Sequence, residues 1–89
     1  MSDRIERIRA TLERALAPLQ LDIEDESHRH VGHAGARDGR GHFRVHIVAA
    51  DFAGLPLIKR HQRVYAALGD LMSTDIHALA LDTRAPGET

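Results

Sequence analysis

The sequence predicts a single α+β domain with a three-stranded mixed sheet and both helices on one face of that sheet. Two observations lead to this prediction. Apolar residues recur at three- and four-residue steps in two segments, as in amphipathic helices, and alternate with polar residues in three shorter segments, as in half-buried strands. The 89 residues suit one domain, with a core over about 3–84 and a flexible tail at 85–89.

These segments follow the order helix, strand, strand, helix, strand. The first two strands are expected to pair antiparallel across a long loop. The second and third strands are joined by a helix, so we expect them to lie parallel with a right-handed crossover. The clean alternation in all three strands indicates that the helices cover only one face of the sheet.

The first helix is predicted to begin at Asp3, where Glu6 completes a capping box, and to end before Pro18, because proline breaks the helical hydrogen bonds. Its apolar stripe consists of Ile5, Ile8, Leu12, Ala15, Leu16 and Leu19. The first strand follows at about 20–24. Residues 27–41 are rich in His and Gly and are expected to form a long loop, a type of segment that often carries function.

The second half of the chain repeats the pattern of strand, helix and strand. The second strand, 42–48, is predicted to place Phe43, Val45 and Ile47 on the core face and His42, Arg44 and His46 on the solvated face. The second helix begins near Pro56 with an apolar stripe of Leu57, Ile58, His61, Val64, Tyr65, Leu68, Leu71 and Met72. The last strand, 76–82, is predicted to turn His77, Leu79 and Leu81 to the core, and the residues after Pro86 are expected to fray.

Composition excludes several kinds of function. Cysteine is absent, so this chain alone offers no disulfide, thiolate nucleophile or all-Cys metal site. No apolar run approaches the ~20 residues that span a bilayer, and no apolar signal segment follows Met1, so we expect a cytoplasmic protein without a membrane partner. No G-x-S-x-G, P-loop or H-E-x-x-H motif occurs, and we therefore expect no enzymatic activity.

Histidine is unusually frequent, with seven residues in the chain. His28, His30 and His33 lie in the long loop, where neutral imidazoles either bind a metal or serve as solvated polar residues. His77, at the edge of the predicted core, is either a metal ligand or a histidine that bonds to the backbone. His61 is expected to pack within its helix and to bond to a nearby carbonyl.

Positive charge is concentrated in the middle of the chain. Residues 27–65 carry seven Lys and Arg against two acids, although the net charge of the chain is −1. Lys59, Arg60 and Arg63 cluster near a helix N-terminus, and together with Arg44 they are candidates for contacts to DNA phosphates. An ordinary solvated helix face explains the cluster equally well, and two or three phosphate contacts give only weak, salt-sensitive binding.

Six short motifs, in this order, resemble the BolA family. They are Asp25-Glu26-Ser27, a loop histidine, His42-Phe43-Arg44-Val45, Phe52-Ala53-Gly54, Arg60-His61-Gln62-Arg63-Val64 and Ile76-His77-Ala78-Leu79-Ala80-Leu81. The resemblance covers nearly the whole chain, and Gln62 stands where the family commonly has arginine or lysine. It implies a fold related to type II KH domains, but the chain lacks the G-x-x-G loop through which KH domains bind nucleic acid.

The resemblance implies two activities. The first is partnership with a monothiol CGFS glutaredoxin, in which the two proteins share a [2Fe–2S] cluster for iron–sulfur trafficking or iron sensing. Its ligands from this chain would be His77 and a loop histidine, by position His30, with His33 and His28 as alternatives. The glutaredoxin cysteine and glutathione would complete the cluster, and the chain alone, a monomer or weak homodimer, would bind none.

The second implied activity is regulation of transcription by DNA binding, in responses of stress, morphology or biofilm formation. The basic second helix, with Lys59, Arg60 and Arg63, and the strand residue Arg44 would supply the DNA contacts.

Overall fold

The computed structural model describes residues 3–27 and 41–88, apart from the side chain of Asp3. Its elements are α1 (Asp3–Leu16), β1 (Gln20–Asp25), β2 (Gly41–Val48), a turn of 3₁₀ helix (Ala50–Phe52), α2 (Leu57–Leu68), α3 (Leu71–Thr74) and β3 (Ile76–Arg84). The predicted order is confirmed, with α3 as an addition. The predicted capping by the Asp3 side chain and most of the predicted loop, including His28, His30 and His33, lie outside the described residues.

The three strands form one sheet in the order β1-β2-β3. β1 runs antiparallel to β2, with Ile23 opposite Val45, and β3 runs parallel to β2, with Leu81 opposite Val45. This is the predicted mixed sheet. β2 is the central strand, and its register with both neighbours fixes which side chains meet on each face.

The core lies between the inner face of the sheet and the helices. Its buried apolar residues are Ile8, Leu12 and Leu16 of α1, Phe43, Val45 and Ile47 of β2, Val64 and Leu68 of α2, and Ala49, Phe52, Ile76 and Ala85 around them. Arg44, which alternates with the buried β2 residues, is exposed. The alternation in β2 therefore identified its core face correctly, because successive strand side chains point to opposite sides.

The predicted apolar stripe of α2 is only partly correct. α2 ends at Leu68 because Gly69 takes a left-handed φ of 53°, so Leu71 and Met72 belong to α3. Ile58 and Tyr65 are 65% and 41% exposed, since they lie about 100–120° around the helix from the buried Val64.

Leu57 is also exposed, although it shares a side of α2 with Val64. It lies about 10 Å nearer the start of the helix, at a rise of 1.5 Å per residue. The helix begins with an uncovered turn, and this is why an apolar residue on the correct side of α2 remains in solvent.

The end of the described chain, within the segment predicted to fray after Pro86, makes hydrogen bonds through Glu88. The Glu88 carboxylate accepts hydrogen bonds from the Arg60 guanidinium at 2.5 and 2.8 Å. The same carboxylate accepts a bond from the Ala85 backbone N–H at 3.0 Å, and Ala85 itself is buried. The end of the described chain is thereby attached to α2.

Candidate functional site

A β-bulge at the start of β3 determines the position of His77. Gly41 pairs with Ile76, but the next residue of β2, His42, pairs with Ala78. His77 is therefore the extra residue on β3, and the two strands resume regular pairing after it. The ring centroids of His42 and His77 lie 5.1 Å apart, with the ring planes inclined at 51°.

The predictions for these two histidines were both wrong about burial. Alternation with Leu79 and Leu81 placed His77 at the edge of the core, but its side chain is exposed. The bulge is the reason, since one extra residue shifts the alternation and turns His77 to the other side. His42, predicted to be solvated, is only 8% exposed.

The end of β1 holds His42 in place. The Ser27 hydroxyl accepts a hydrogen bond from the His42 N–H at 3.0 Å, and the Glu26 N–H donates to the His42 carbonyl at 2.7 Å. The buried Glu26 carboxylate accepts a bond from Arg44 Nε at 3.2 Å, while the Asp25 carboxylate accepts one from the Ser27 N–H at 2.9 Å. The Asp-Glu-Ser motif thus attaches the end of β1 to the start of β2.

Asp75 anchors the start of β3 immediately before the bulge. Its backbone carbonyl accepts a hydrogen bond from the Gly41 N–H at 2.9 Å. Its carboxylate accepts bonds from the Thr74 hydroxyl at 2.7 Å and from Arg7 Nε at 2.9 Å. The Thr74 bond, followed by the Arg7 bond, lowers the pKa of Asp75 below its usual value. The bulge is therefore bordered by a buried, ionised carboxylate.

An open cavity of about 260 Å³ lies beside the bulge. Its lining consists of Glu26, His42, Phe43, Ala78, Leu79 and Ala80. The alanines on β3 are small, so the cavity leaves space next to the His42 ring on the face of the sheet that the helices do not cover.

His77 is the histidine of this region that can reach a partner. It is exposed, whereas both ring nitrogens of His42 are buried. In residues 3–27 and 41–88, no three His, Cys, Asp or Glu side chains form a group that could hold a metal ion. One exposed imidazole suits a metal centre whose remaining ligands come from elsewhere, because a neutral imidazole supplies a single bond.

The other two described histidines have different surroundings. His46 Nδ1 lies 2.6 Å from an Asp82 carboxylate oxygen on the outer face of the sheet, and this hydrogen bond is the main reason that the pKa of Asp82 is lowered. His61 Nε2 is buried and has no hydrogen-bond partner within the described part of the chain. The expected bond from His61 to a carbonyl is therefore not made by this atom.

The residues predicted to contact DNA do not come together on one surface. Lys59 and Arg63 are exposed on α2, one helical turn apart. Arg60 is turned inward, where Nε donates to the Leu55 carbonyl at 2.8 Å and the guanidinium pairs with Glu88. Arg44 lies on the outer face of the sheet, on the side opposite the helices.

Sequence reasoning missed the residues that position the site. The role of Asp75 depends on Arg7, which is 68 residues away in the chain, and no local pattern connects them. The burial of His42 was also missed, because a polar residue between apolar neighbours on a strand normally faces solvent.

No helix within residues 3–27 and 41–88 has the length and apolar character needed to cross a membrane.

Comparison with known proteins identifies relatives over most of the chain. The family model for "BolA-like protein" matches residues 12–88. The chain is 40% identical over 92 residues to "Protein BOLA1, chloroplastic" of Arabidopsis thaliana, covering all of this chain and 58% of that protein. It is 41% identical over 78 residues to the "DNA-binding transcriptional regulator BolA" of Escherichia coli K12, covering 88% of this chain and 71% of that protein.

A solved structure shows the same fold. The BolA domain of SufE1 from Arabidopsis thaliana superposes with a TM-score of 0.87 at 37% identity, covering 100% of this chain and 99% of that chain. The predicted α+β architecture is thereby confirmed. The chain spans little more than half the length of the Arabidopsis chloroplastic relative. Because that relative is named as chloroplastic, the cytoplasmic location expected for this chain stays a prediction. With the family model covering residues 12–88 and these identities, the chain belongs to the BolA-like family.

Proposed function

We propose that this chain shares a [2Fe–2S] cluster with a monothiol glutaredoxin and takes part in iron–sulfur trafficking or iron sensing. The single observation that carries the proposal is the exposed His77 imidazole, which the bulge turns away from the core. His77 lies beside the buried, hydrogen-bonded carboxylate of Asp75, and its own imidazole is exposed. An exposed imidazole is available as a ligand to a metal centre that a partner carries. A closed metal site would instead need several ligands from this chain.

The remaining ligands would come from the partner. This chain has no cysteine, so the thiolates would be supplied by the glutaredoxin and by glutathione. When bound, a [2Fe–2S] cluster with histidine in place of one thiolate carries less negative charge and has a higher reduction potential. A cluster held between two chains is suited to transfer or sensing, since separation of the chains releases it.

The chain's own contribution is to hold the His77 imidazole in place. His77 lies at a point where β2, β3 and the end of β1 are joined by backbone hydrogen bonds. The position of its backbone is therefore fixed before any partner binds. A second ligand from this chain would be His30, with His33 and His28 as the alternatives, all outside the described residues.

The proposal is tested by mixing the purified chain with cluster-loaded glutaredoxin and recording visible absorption and circular dichroism. We expect a new spectrum and a changed cluster lifetime with the wild-type chain, and neither with His77→Ala. His46→Ala is the matched control, since it removes a strand histidine that faces the same side of the sheet and is held by Asp82. An unchanged spectrum with wild type, or equal behaviour of the two variants, contradicts the proposal.

The loop ligand is assigned by a series of single substitutions. His30→Ala, His33→Ala and His28→Ala are compared for the rate of cluster loss after the mixed complex has formed. We expect His30→Ala to lose the cluster fastest. If all three variants retain it as long as the wild-type chain, this chain supplies His77 alone.

A second candidate function is DNA binding in transcriptional regulation of stress, morphology or biofilm responses. It is supported by the exposed pair Lys59 and Arg63 and by the name of the Escherichia coli relative. Phosphate contacts from two exposed cations alone would give weak binding that is lost at ~150 mM salt, near physiological ionic strength, so a regulator would also need sequence-specific contacts.

The DNA proposal is tested by promoter retention at that salt concentration. Retention that depends on DNA sequence and disappears in the Lys59→Gln, Arg63→Gln double variant would support it. Equal, salt-sensitive affinity for any duplex would leave only non-specific attraction.

A further inference from the structure

His42 is a buried imidazole for which the proposed function has no direct use. It lies on the face of the sheet opposite the helices. Arg44, two residues further along β2 on the same face, is exposed, whereas His42 is only 8% exposed. Its ring is in contact with the ring of His77, at a centroid separation of 5.1 Å. A buried polar ring against an exposed one calls for a physical explanation.

The backbone of His42 is fixed on both sides. Its N–H donates to the Ser27 hydroxyl and its carbonyl accepts from the Glu26 N–H, both at the end of β1. On the other side it pairs with Ala78, the residue that follows the bulge. The His42 ring therefore has a defined position relative to the backbone of β3.

His77 differs from His42 in its exposure and in its place in the sheet. As the extra residue of the bulge it lies outside the regular pairing between β2 and β3, and its side chain is exposed. Exposed side chains commonly change rotamer on a picosecond to nanosecond scale. Any ordering of the ring that precedes metal binding reduces the rotamer entropy lost in that binding.

We propose that His42 is a positioning residue that holds the His77 ring in the orientation needed for a partner's metal centre. The proposal rests on the proposed role of His77 as a ligand. The contact between the two rings is the observation that carries it, because His42 offers a fixed surface on one side of an exposed side chain. Ligand orientation by a second layer of residues commonly changes metal affinity by 10–100-fold.

His42 is not itself placed to be the ligand. Each of its ring nitrogens is buried, so neither can reach a centre carried on another chain without movement of the ring. The cavity of about 260 Å³ beside it leaves space on that side, lined by Ala78 and Ala80. Removal of the His42 ring would enlarge this space and allow the His77 ring to change its orientation.

The experiment measures the His77 side chain in the chain without any cluster. Three-bond couplings that report χ1 of His77 are recorded by NMR for wild type, His42→Ala, His42→Phe and His42→Gln. We expect one dominant rotamer in wild type and in His42→Phe, which keeps a planar ring. We expect averaged couplings in His42→Ala and in His42→Gln, which keeps the size but not the ring.

A second readout follows the shared cluster in the mixed complex with glutaredoxin. The rate of cluster loss should rise about tenfold or more in His42→Ala and stay near wild type in His42→Phe. Val45→Ala is the stability control, since it removes fully buried apolar atoms from the same strand on the other face. It should lower Tm without averaging the His77 couplings.

The outcomes separate this proposal from the proposed function. Averaged couplings in wild type, or unchanged couplings in His42→Ala, would overturn the positioning role even if His77 proves to be a ligand. Loss of the cluster in His42→Phe with unchanged His77 couplings would make His42 a ligand and also overturn it. If His77→Ala keeps the cluster, the proposed function fails, whereas the rotamer measurement still decides the effect of His42 on the His77 ring.

Discussion

Charged and polar residues have different roles at the two ends of the sheet. At the histidine end, formed by Ser27, His42, Asp75 and His77, the hydrogen bonds hold the backbone and leave one imidazole exposed. At the arginine end, formed by Arg60 and Glu88, the cation is bound within the molecule. A basic cluster in sequence thus proved partly structural, while a single histidine proved accessible.

The arginine end shows how completely one cation can be occupied. Arg60 donates to the Leu55 carbonyl, to the Thr83 carbonyl at 3.4 Å and to both carboxylate oxygens of Glu88. These bonds connect the start of α2, the end of β3 and the last described residue. The neighbouring Lys59 is exposed, so adjacent residues of the same charge have different roles.

The largest effect is expected from Gly41→Ala at the histidine end. A Cβ at Gly41 would lie 2.6 and 2.7 Å from ring atoms of Phe43, which is 2% exposed and cannot move freely. Overpacking of this kind should lower the free energy of unfolding by about 3 kcal/mol, measured by urea denaturation. It should also disturb the bulge and weaken cluster sharing through His77.

Gly54→Ala is the matched control for this change. Gly54 has a left-handed φ of 77°, and a Cβ added there would meet no atom within 4 Å, so only backbone strain of about 1 kcal/mol is expected. Cluster sharing should stay as in wild type. Equal losses of stability in the two glycine variants would show that the Phe43 ring can move away from a Cβ at Gly41.

The next effect is expected at the arginine end, from Arg60→Met. The substitution keeps much of the apolar stem but removes the bonds to Leu55, Thr83 and Glu88, so both Tm and protection of the segment after Ala85 from proteolysis should fall. Lys59→Met should change the free energy of unfolding by no more than about 0.5 kcal/mol, because Lys59 is exposed. Equal melting temperatures for the two variants would disprove a structural role for Arg60.

Acid should weaken the arginine end in a defined pH range. The Arg60 hydrogen bond, followed by the bond from the Ala85 N–H, lowers the pKa of Glu88 from 4.5 to about 2. A carboxylate with a lowered pKa stabilises the folded state above its unfolded pKa, and this contribution is lost as pH falls from about 4.5 towards about 2.

The measurement compares wild type with Glu88→Gln by urea denaturation from pH 7 to pH 2. The difference in free energy of unfolding should be constant above about pH 5 and should shrink towards zero near pH 2. Gln62→Ala, an exposed change on α2 that removes no titratable group, should show no such trend. A difference that is independent of pH would mean that the Glu88 charge is not involved.

The smallest effect is expected in the middle of the sheet, from His46→Gln. The hydrogen bond from His46 to Asp82 lies on the outer face, with side chains 32% and 40% exposed. Surface pairs of this kind contribute about 0.2–1 kcal/mol to stability. Neither cluster sharing at one end nor proteolytic protection at the other should change, and a change in either would mean that the two ends are coupled through the sheet.

The sequence was sufficient to predict the elements and the topology of the sheet. Alternation in β2 predicted the buried positions of Phe43, Val45 and Ile47, because strand periodicity depends only on local geometry. The helix between β2 and β3 predicted their parallel pairing for a similar reason, since few connections are sterically allowed.

The sequence was not sufficient to predict which polar residues are accessible. His77 lies on the opposite side of β3 from the predicted one, because one extra residue shifts the alternation of the strand. A bulge has no strong local sequence pattern from which this shift could be predicted. The role of Arg60 depends on Glu88, 28 residues later, and that of Asp75 on Arg7, 68 residues earlier. Ile58 and Tyr65 were predicted to be buried but are exposed. The spacing of apolar residues along a helix does not indicate how wide a face of that helix the rest of the protein covers.

The central position of β2 has a consequence for how fast the chain folds. Every pairing in the sheet includes β2, and its partners are distant in sequence, since Val45 pairs with both Ile23 and Leu81. The loops between β1 and β2 and between β2 and β3 must both close before the sheet is complete, and such non-local contacts slow folding. Stopped-flow refolding should therefore take on the order of milliseconds or longer, instead of the microseconds typical of small helical bundles.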